Sequence, residues 1–182
     1  MKIALVTDTH FGARNDNQNF SDYFYQFYDE VFFPKLIEEN ITTVVHLGDV
    51  MDRRKFVSYK TATDFRKKFL DKIAEYELDF HIIIGNHDTY YKNTSEVNSM
   101  EELVGERFKV YSNPEVVEFD EFPILFIPWI NQNNYNLSMK ALKSSTASTI
   151  MGHLDINGFA MNKGQILEQH GYDRQMFNRF ET

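Results

Sequence analysis

The sequence predicts an α/β fold with a βαβαβ N-terminal half. Three short apolar runs alternate with two segments whose apolar residues recur at helical spacing. Strands that alternate with helices in this way form largely parallel sheets covered by helices. The chain has 182 residues, of which 42% are hydrophobic, so it can bury one core and is too short to need two domains. We therefore predict a single domain over residues 1–182.

Three apolar runs predict the strands of the N-terminal half. Residues 2–6 form a short run that suits a buried strand, and a polar turn follows it. Residues 42–49, "TTVVHLGD", contain β-branched residues and close on a glycine and an aspartate. Residues 79–86, "DFHIIIGN", form the third run, which also stops at a glycine.

Two helices are predicted between these strands. Residues 21 to about 39 form the first, in which Pro34 predicts a kink or a break because proline removes a backbone donor. Residues 61–76 form the second, which is amphipathic. The apolar positions at helical spacing are Phe20, Phe24, Phe27 and Val31 in the first helix, and Phe65, Phe69 and Ile73 in the second.

The second half of the chain predicts strands at shorter intervals. Residues 108–113, 115–119 and 123–129 have the composition of strands, and a polar helix is predicted near residues 135–143. A further strand is predicted at residues 148–153. Residues 157–182 have weak helical character.

The composition limits the metal ligands that the chain can use, its cellular location and its binding to nucleic acids. Because the chain has no cysteine, it has no disulfides and no thiolate metal sites, and any metal must bind through nitrogen and oxygen. The first apolar run is too short for a signal-peptide core or a membrane span, so we expect a cytoplasmic protein without a membrane partner. A net charge of −8 argues against a general nucleic-acid binder, and the basic clusters at residues 52–55 and 65–68 are interpreted as solvated faces.

The first two strands each end in potential metal ligands. Strand ends in open α/β sheets carry ligand-binding groups. Asp8 and His10 follow the first strand, and residues two apart face the same side of an extended chain. Asp49 follows the second strand, where Gly48 lets the backbone approach an ion and leaves the carboxylate free to bridge two ions.

The third strand and a later one add further ligands. Asn86, His87 and Asp88 follow the third apolar run directly, and His153 follows the apolar stretch that ends at Gly152. Asp8 and Asp49 are 41 residues apart, and Asp49 and Asn86 are 37 apart, which is enough for a crossover helix and a return strand. Parallel neighbours would then gather these groups at one sheet edge.

Each motif also has a purely structural interpretation. A lone Asp-x-His is common, and Gly-Asp after a strand is more often a turn or a helix cap than a ligand. Gly-Asn-His-Asp is rarer, and the joint order and spacing favour a metal site. His46 and His81 lie within strands and are interpreted as structural, His170 is expected to be exposed, and Trp129 is interpreted as packing rather than as a platform for a base.

These motifs resemble the calcineurin-like metallophosphoesterase superfamily. The segments "MKIALVTDTHFG", "VVHLGDVMDRR" and "IIIGNHDTYYKN" are most similar to the SbcD-type nuclease subunits of DNA double-strand-break repair complexes, including the recombination endonuclease subunit of T-even-like phages. The resemblance covers essentially the whole chain. It implies an αββα sandwich and a two-metal hydrolase, usually manganese-dependent in nucleases, that hydrolyses phosphodiester bonds of DNA.

The resemblance also implies a role for each site residue. Asp8 and His10 would bind the first metal, Asp49 would bridge both, Asn86 and His153 would bind the second, His87 would be the catalytic histidine, and Asp88 would orient it. Water activated by the metals would attack phosphorus. His87 would then stabilise the developing charge or protonate the leaving oxygen.

One departure from the family pattern affects the C-terminus. The family has a later Gly-His-x-His-like segment that gives one histidine to each metal, and nothing after His153 matches it. We therefore expect a truncated chain that lacks this last metal-binding strand, a DNA-binding cap and the segment that docks on an SMC-like ABC ATPase subunit. The implied partners are DNA and that ATPase, and a homodimer is possible.

Three functions remain open on the sequence alone. The chain could be part of a DNA nuclease subunit, which the three early motifs favour. It could be a metallophosphoesterase that acts on phosphoprotein or on a small phosphodiester. It could also be a binding fragment without activity, because the final histidines are absent.

Overall fold

Two β-sheets lie face to face between two layers of helices. The computed structural model describes residues 1–158, 160–162, 165–166 and 171–181. The first sheet is parallel, in the order β1 (Ile3–Val6), β2 (Thr43–His46), β3 (Asp79–Ile83) and β4 (Lys109–Tyr111). In the second sheet, β6 (Phe122–Ile127) pairs antiparallel with β5 (Glu115–Phe119) and parallel with β7 (Thr149–Gly152). The layers confirm the predicted αββα sandwich.

Alternation along the strands of the first sheet divides the core into two layers. Successive side chains of a strand point to opposite faces. Val44 and Ile82 therefore face the helices, where they join the largest apolar cluster. Val45 and Ile83 face the second sheet and pack with Phe126. Because both faces of β2 and β3 are covered, these strands are continuous apolar runs rather than alternating ones.

Two interrupted helical segments cover the outer face of the first sheet. The first consists of α2 (Gln18–Phe27), a π-helical turn (Tyr28–Phe32) and α3 (Phe33–Glu38). Pro34 lies in the first turn of α3, so the predicted interruption takes the form of a wider π turn before the proline rather than a break. The second consists of α4 (Tyr59–Phe65), a π-helical turn (Arg66–Leu70) and α5 (Asp71–Glu75).

The outer face of the second sheet is covered by α7 (Tyr135–Ser144). Leu142 of this helix is buried against Leu125 and Ile127 of β6. The predicted helix near residues 135–143 and the strands at residues 115–119, 123–129 and 148–153 are thus all present within a few residues.

Several elements differ from the sequence prediction. The polar stretch after β1 contains a four-residue turn, α1 (Ala13–Asp16), in which Arg14 and Asn15 have left-handed backbone angles. The loop after β3 leads to an unpredicted helix, α6 (Ser99–Val104), and a 3₁₀ turn (Gly105–Arg107).

The weak helical character expected for residues 157–182 is limited, in the described part of that stretch, to a 3₁₀ turn (Arg174–Phe177). The same part contains the short antiparallel strands β8 (Ala160–Asn162) and β9 (Gln165–Ile166). His170, which was expected to be exposed, lies outside the described residues. In the parts of the chain that the structure describes, no helix has the length and apolar character needed to cross a membrane.

Candidate metal centre

The carboxyl ends of β1, β2 and β3 bring the predicted ligands together. Backbone hydrogen bonds continue beyond the strands and align the first two loops: the amide of Asp8 donates to the carbonyl of Gly48 over 3.1 Å, and that of His10 to the carbonyl of Asp49 over 3.1 Å. Phe11 follows these ligands directly and anchors the loop in the core, with its ring centroid 4.8 Å from that of Phe65. A hydrophobic anchor next to the ligands holds the loop in place.

Two glycines allow the loops to approach each other. A Cβ atom on Gly85 would lie 2.2 Å from the amide nitrogen of Asp49, and one on Gly48 would lie 2.5 Å from Nδ1 of His153. Gly48 also has a φ of +108°, which side chains of L-residues rarely allow. The sequence prediction gave Gly48 the role of admitting an ion, whereas in the structure it admits the His153 ring.

Asp49 belongs to two groups of potential metal ligands. One group contains His10, Asp49 and His87, and the other contains Asp8, Asp49 and His153; in each group the ligand atoms lie within 4.8 Å of one another. Nε2 of His10 lies 3.7 Å from carboxylate oxygens of both Asp8 and Asp49. A carboxylate shared by two ligand groups is the arrangement that a bridging ligand needs.

His153 and Asn86 lie side by side, as predicted. Nδ1 of His153 lies 3.0 Å from the carbonyl oxygen of Leu47, which can only accept, so Nδ1 carries the proton. In the neutral ring Nε2 then presents a lone pair, and it lies 3.0 Å from Oδ1 of Asn86 and 3.5 Å from Oδ1 of Asp49. In this arrangement three acceptor atoms face one another, which a cation between them, a proton on the imidazole or a turned Asn86 amide that donates its NH2 group would relieve. A histidine fixed by a backbone carbonyl in this way is typical of metal sites.

The surroundings of the carboxylates also suit cations. Among the described residues, no lysine or arginine lies within 4 Å of a carboxylate oxygen of Asp8 or Asp49. Nδ1 of His10 is buried and has no hydrogen-bond partner in the described part of the chain. A nitrogen and oxygen donor set of this kind suits divalent transition metals, so the residues present fit a pair of divalent cations.

His87 is held by Asp52 rather than by Asp88. Nδ1 of His87 lies 2.5 Å from the carbonyl oxygen of Asp52, and its backbone amide donates to Oδ1 of Asp49 over 2.8 Å. The carboxylate of Asp52 also lies 3.8 Å from Nδ1 of His10. Asp52 lies in the segment "VVHLGDVMDRR", which carries the family resemblance, but its position beside both imidazoles was not predicted.

Asp88 has a structural role, because it links the two loops that carry the ligands. It is fully buried, and its two oxygens accept hydrogen bonds from the amides of Met51 at 3.0 Å and Gly85 at 2.9 Å. It therefore ties the loop after β2 to the loop after β3. Burial raises the pKa of Asp88 to about 6, although these two hydrogen bonds act in the opposite direction.

The two histidines that were interpreted as structural are buried and hydrogen-bonded. Nδ1 of His46 accepts from the amide of Gly48 over 3.2 Å, so Nε2 carries the proton and donates to Oγ1 of Thr9 at 3.0 Å. Thr9 in turn donates to the carbonyl of Val50 over 3.1 Å. His46 is therefore hydrogen-bonded to the loop after β1 and to the loop after β2. His81 contacts the hydroxyl of Tyr111 at 2.7 Å, away from the site.

An arginine beside the site was not predicted as functional. Arg54 lies with its guanidinium carbon 4.9 Å from the ring centroid of Trp129, and Nη1 donates to Oγ1 of Thr89 over 3.2 Å. Trp129 lines the same cavity, of about 460 Å³, as the candidate ligands. Burial lowers the pKa of Arg54, while the charges of Asp49 and Asp88 raise it. The arginine lies in the basic cluster at residues 52–55, which was interpreted as a solvated face.

The chain belongs to the calcineurin-like phosphoesterase family, which matches residues 1–177. The predicted metallophosphoesterase resemblance is thereby confirmed. The family's divalent metals are consistent with the candidate ligand groups of the site.

Comparisons with individual proteins agree with this family. The chain is 30% identical over 184 residues to exonuclease subunit 1 of Enterobacteria phage T4, and the match covers 100% of this chain and 53% of that protein. The chain therefore spans about half the length of this relative.

Two solved structures are also similar to the chain. A protein from Aquifex aeolicus, AQ665, is 15% identical with a TM-score of 0.43, over 92% of this chain and 83% of that one. An archaeal phosphodiesterase is 18% identical with a TM-score of 0.44, over 89% and 74% of the two chains.

Proposed function

We propose that this chain is the nuclease domain of a metal-dependent phosphodiesterase that cuts DNA as a subunit of a repair and recombination complex in the cytoplasm. The observation that carries the proposal is the position of Asp49, whose carboxylate belongs to both ligand groups. The T4 relative, named as a subunit of an exonuclease, supports DNA as the substrate and a partner subunit. By the resemblance, that partner is an SMC-like ABC ATPase, and a second copy of the chain is a further possible partner.

The predicted ligands would hold two divalent cations, Mn²⁺ by the resemblance. In the division that the resemblance implies, Asp8 and His10 would hold one cation, Asn86 and His153 the other, and Asp49 both. The two groups in the structure divide differently, with Asp8 beside His153 and His10 beside His87. When bound, the two cations would neutralise the phosphodiester and lower the pKa of a coordinated water. The two cations carry four positive charges and the two ligand carboxylates carry two negative charges. The site would therefore be locally positive and would attract a phosphate, although the protein as a whole is acidic.

His87 has the geometry of a proton donor. Because its Nδ1 donates to the carbonyl of Asp52, Nε2 is the nitrogen that can gain or lose a proton. The protonated ring would stabilise negative charge on phosphate oxygens or protonate the leaving oxygen. The amide of His87, bonded to Asp49, keeps the ring next to the ligand that both groups share.

Metal binding is the first test, and it is separate from turnover. We expect isothermal titration calorimetry with Mn²⁺ to show binding by the unmodified chain and a loss of at least about tenfold in affinity for Asp49→Asn, because one carboxylate is removed from both ligand groups. Asp71→Asn is the matched control, since Asp71 lies in α5 and pairs with Arg107 on the surface. Equal Mn²⁺ affinity of Asp49→Asn and the unmodified chain would contradict the proposed site.

Turnover then distinguishes the candidate functions. With Mn²⁺, we expect hydrolysis of bis(p-nitrophenyl) phosphate and of labelled DNA, and none of a phosphopeptide. Hydrolysis of the phosphopeptide without DNA cleavage would support a phosphatase instead. Mn²⁺ binding without hydrolysis of any of the three would support a binding fragment.

A further inference from the structure

A groove beside the metal centre has the features of a nucleotide site. It has a volume of about 230 Å³ and lies between the loop after β2 and the loop after β3. Arg54 and Phe56 line it from the first loop, Tyr90 and Val97 from the second, and Ser99 from the start of α6. The same two loops carry Asp49 and Asn86, and Arg54 of the groove lies over Trp129, which lines the metal cavity.

Arg54 provides a positive charge at the end of the groove nearest the metal centre. Its guanidinium lies over Trp129, which also lines the metal cavity. Among the described residues, no carboxylate oxygen lies within 4 Å of this guanidinium, whereas the neighbouring Arg53 pairs with Asp16. A guanidinium that is positioned by Trp129 and Thr89 and makes no ion pair within 4 Å in the described structure is suited to a phosphate.

Exposed aromatic rings flank the groove. Tyr90 has 39% of its surface exposed, and Lys55 places its Nζ atom 5.7 Å from the Tyr90 ring centroid. Phe56 is 60% exposed. Proteins that bind single strands combine aromatic faces, on which bases stack, with cations that contact the phosphates.

A serine that lines the groove has an unpaired hydroxyl. Oγ of Ser99 is buried and has no hydrogen-bond partner among the described residues. A base edge carries donors and acceptors that a hydroxyl can satisfy. Glu102 also lines the groove and would repel a phosphate, so it favours a base at its own position and a phosphate at Arg54.

We propose that this groove binds an unpaired nucleotide of a DNA strand, with its base beside Tyr90 and Ser99 and a flanking phosphate on Arg54. The inference rests on the proposed function, because it places this nucleotide next to the phosphodiester that is cut. A paired base is stacked inside a duplex and cannot enter the groove without being unpaired. The chain therefore prefers single strands or unpaired ends.

The test is a binding measurement that does not depend on hydrolysis. Fluorescence anisotropy with Mn²⁺ and a labelled, phosphorothioate-linked oligothymidine gives the affinity of each variant. We expect Tyr90→Leu to weaken binding about 5- to 150-fold, the range expected for losing one base–aromatic stack, and Tyr90→Phe to restore it. An abasic strand of equal length should bind weakly to the unmodified chain and be insensitive to Tyr90→Leu.

Arg54→Gln should behave differently from the tyrosine variant. Loss of a phosphate contact should weaken both base-containing and abasic strands and reduce the salt-dependence slope by about one. Tyr23→Leu and Lys67→Gln are matched controls, because both residues are exposed on helices of the outer layer. Circular dichroism confirms that each variant is folded.

Several outcomes would overturn the proposal. Duplex DNA bound as tightly as single strands, or Tyr90→Leu with unmodified affinity, would contradict base binding in the groove. If Tyr90→Leu instead dissociates a dimer in sedimentation experiments, the groove is an interface between copies of the chain. Hydrolysis of bis(p-nitrophenyl) phosphate is measured in a separate assay. Its absence would refute the proposed function, whereas the anisotropy measurement still tests whether the groove binds a nucleotide.

Discussion

Gly85→Ala is the sharpest perturbation of the candidate metal centre. The added Cβ would lie 2.2 Å from the amide nitrogen and 2.3 Å from Oδ1 of Asp49, whereas ordinary contact begins at 3.4 Å. The contact partner is backbone, so the loop that carries Asp49 must move by about 1 Å. A shift of that size in a catalytic group costs about 100-fold in rate, and it would misplace a ligand of both groups.

The same substitution should lower the stability of the protein. Overpacking in a well-packed site typically costs about 1–3 kcal/mol, and we expect the upper end because backbone cannot rotate out of the way. For a chain of this size, 3 kcal/mol corresponds to a fall of roughly 6–12 °C in the melting temperature. Thermal melts monitored by circular dichroism give this value, and Mn²⁺ calorimetry below the transition should show a loss of at least about tenfold in affinity.

Gly105→Ala is the matched control for Gly85→Ala. Gly105 has a φ of +52° and nothing within 4 Å of the position of its Cβ, so alanine there introduces backbone strain of about 1–2 kcal/mol without touching the site. We expect lower stability with unchanged Mn²⁺ affinity. If Gly85→Ala bound Mn²⁺ like the unmodified chain, the close approach of the two loops would not matter to the site.

Two further predictions concern the support of the ligand loops. Asp88→Asn should lower the free energy of unfolding by about 1–3 kcal/mol in urea titrations at neutral pH, because an amide has one acceptor oxygen for the two backbone donors of Met51 and Gly85; unchanged stability would show that one of these hydrogen bonds is dispensable. Burial lowers the pKa of His46 to about 3 from an ordinary value of 6.5, so as the pH falls the unfolded chain takes up this proton first. The stability that neutral His46 contributes is present above pH 6.5 and is lost toward pH 3, by up to about 1.4 kcal/mol per pH unit. His46→Asn should flatten this slope in urea titrations between pH 7 and 4, and an unchanged slope would assign it to other groups.

The strands and the site residues could be predicted because they carry local signals. The runs at residues 42–49 and 79–86 are buried on both faces, and such strands read as continuous apolar segments. Asp49 and Asn86 follow them directly, and parallel pairing then places both at one sheet edge. No long-range information was needed for this step.

The details that sequence reasoning missed depend on contacts between distant segments. Nothing local distinguishes Arg54, which lies over Trp129, from Arg53, which pairs with Asp16. The binding of Asp88 to two backbone amides likewise depends on how the two loops pack, whereas the family resemblance implied His87 as its partner. The turn at α1 was missed because non-glycine residues rarely adopt left-handed angles.

Backbone strain at the ligands indicates how the fold sustains the site. Asp8, His10 and Asp49 have φ values of +52°, +42° and +55°, a conformation that is unfavourable for residues with a side chain. Strain of this kind persists only where the surroundings determine the geometry, and here the hydrogen bonds between the first two loops do so. His46 and Thr9 complete that pairing beneath the site. These three residues supply two carboxylates and one imidazole of the ligand groups, so the unfavourable backbone angles are concentrated at side chains that a cation would stabilise.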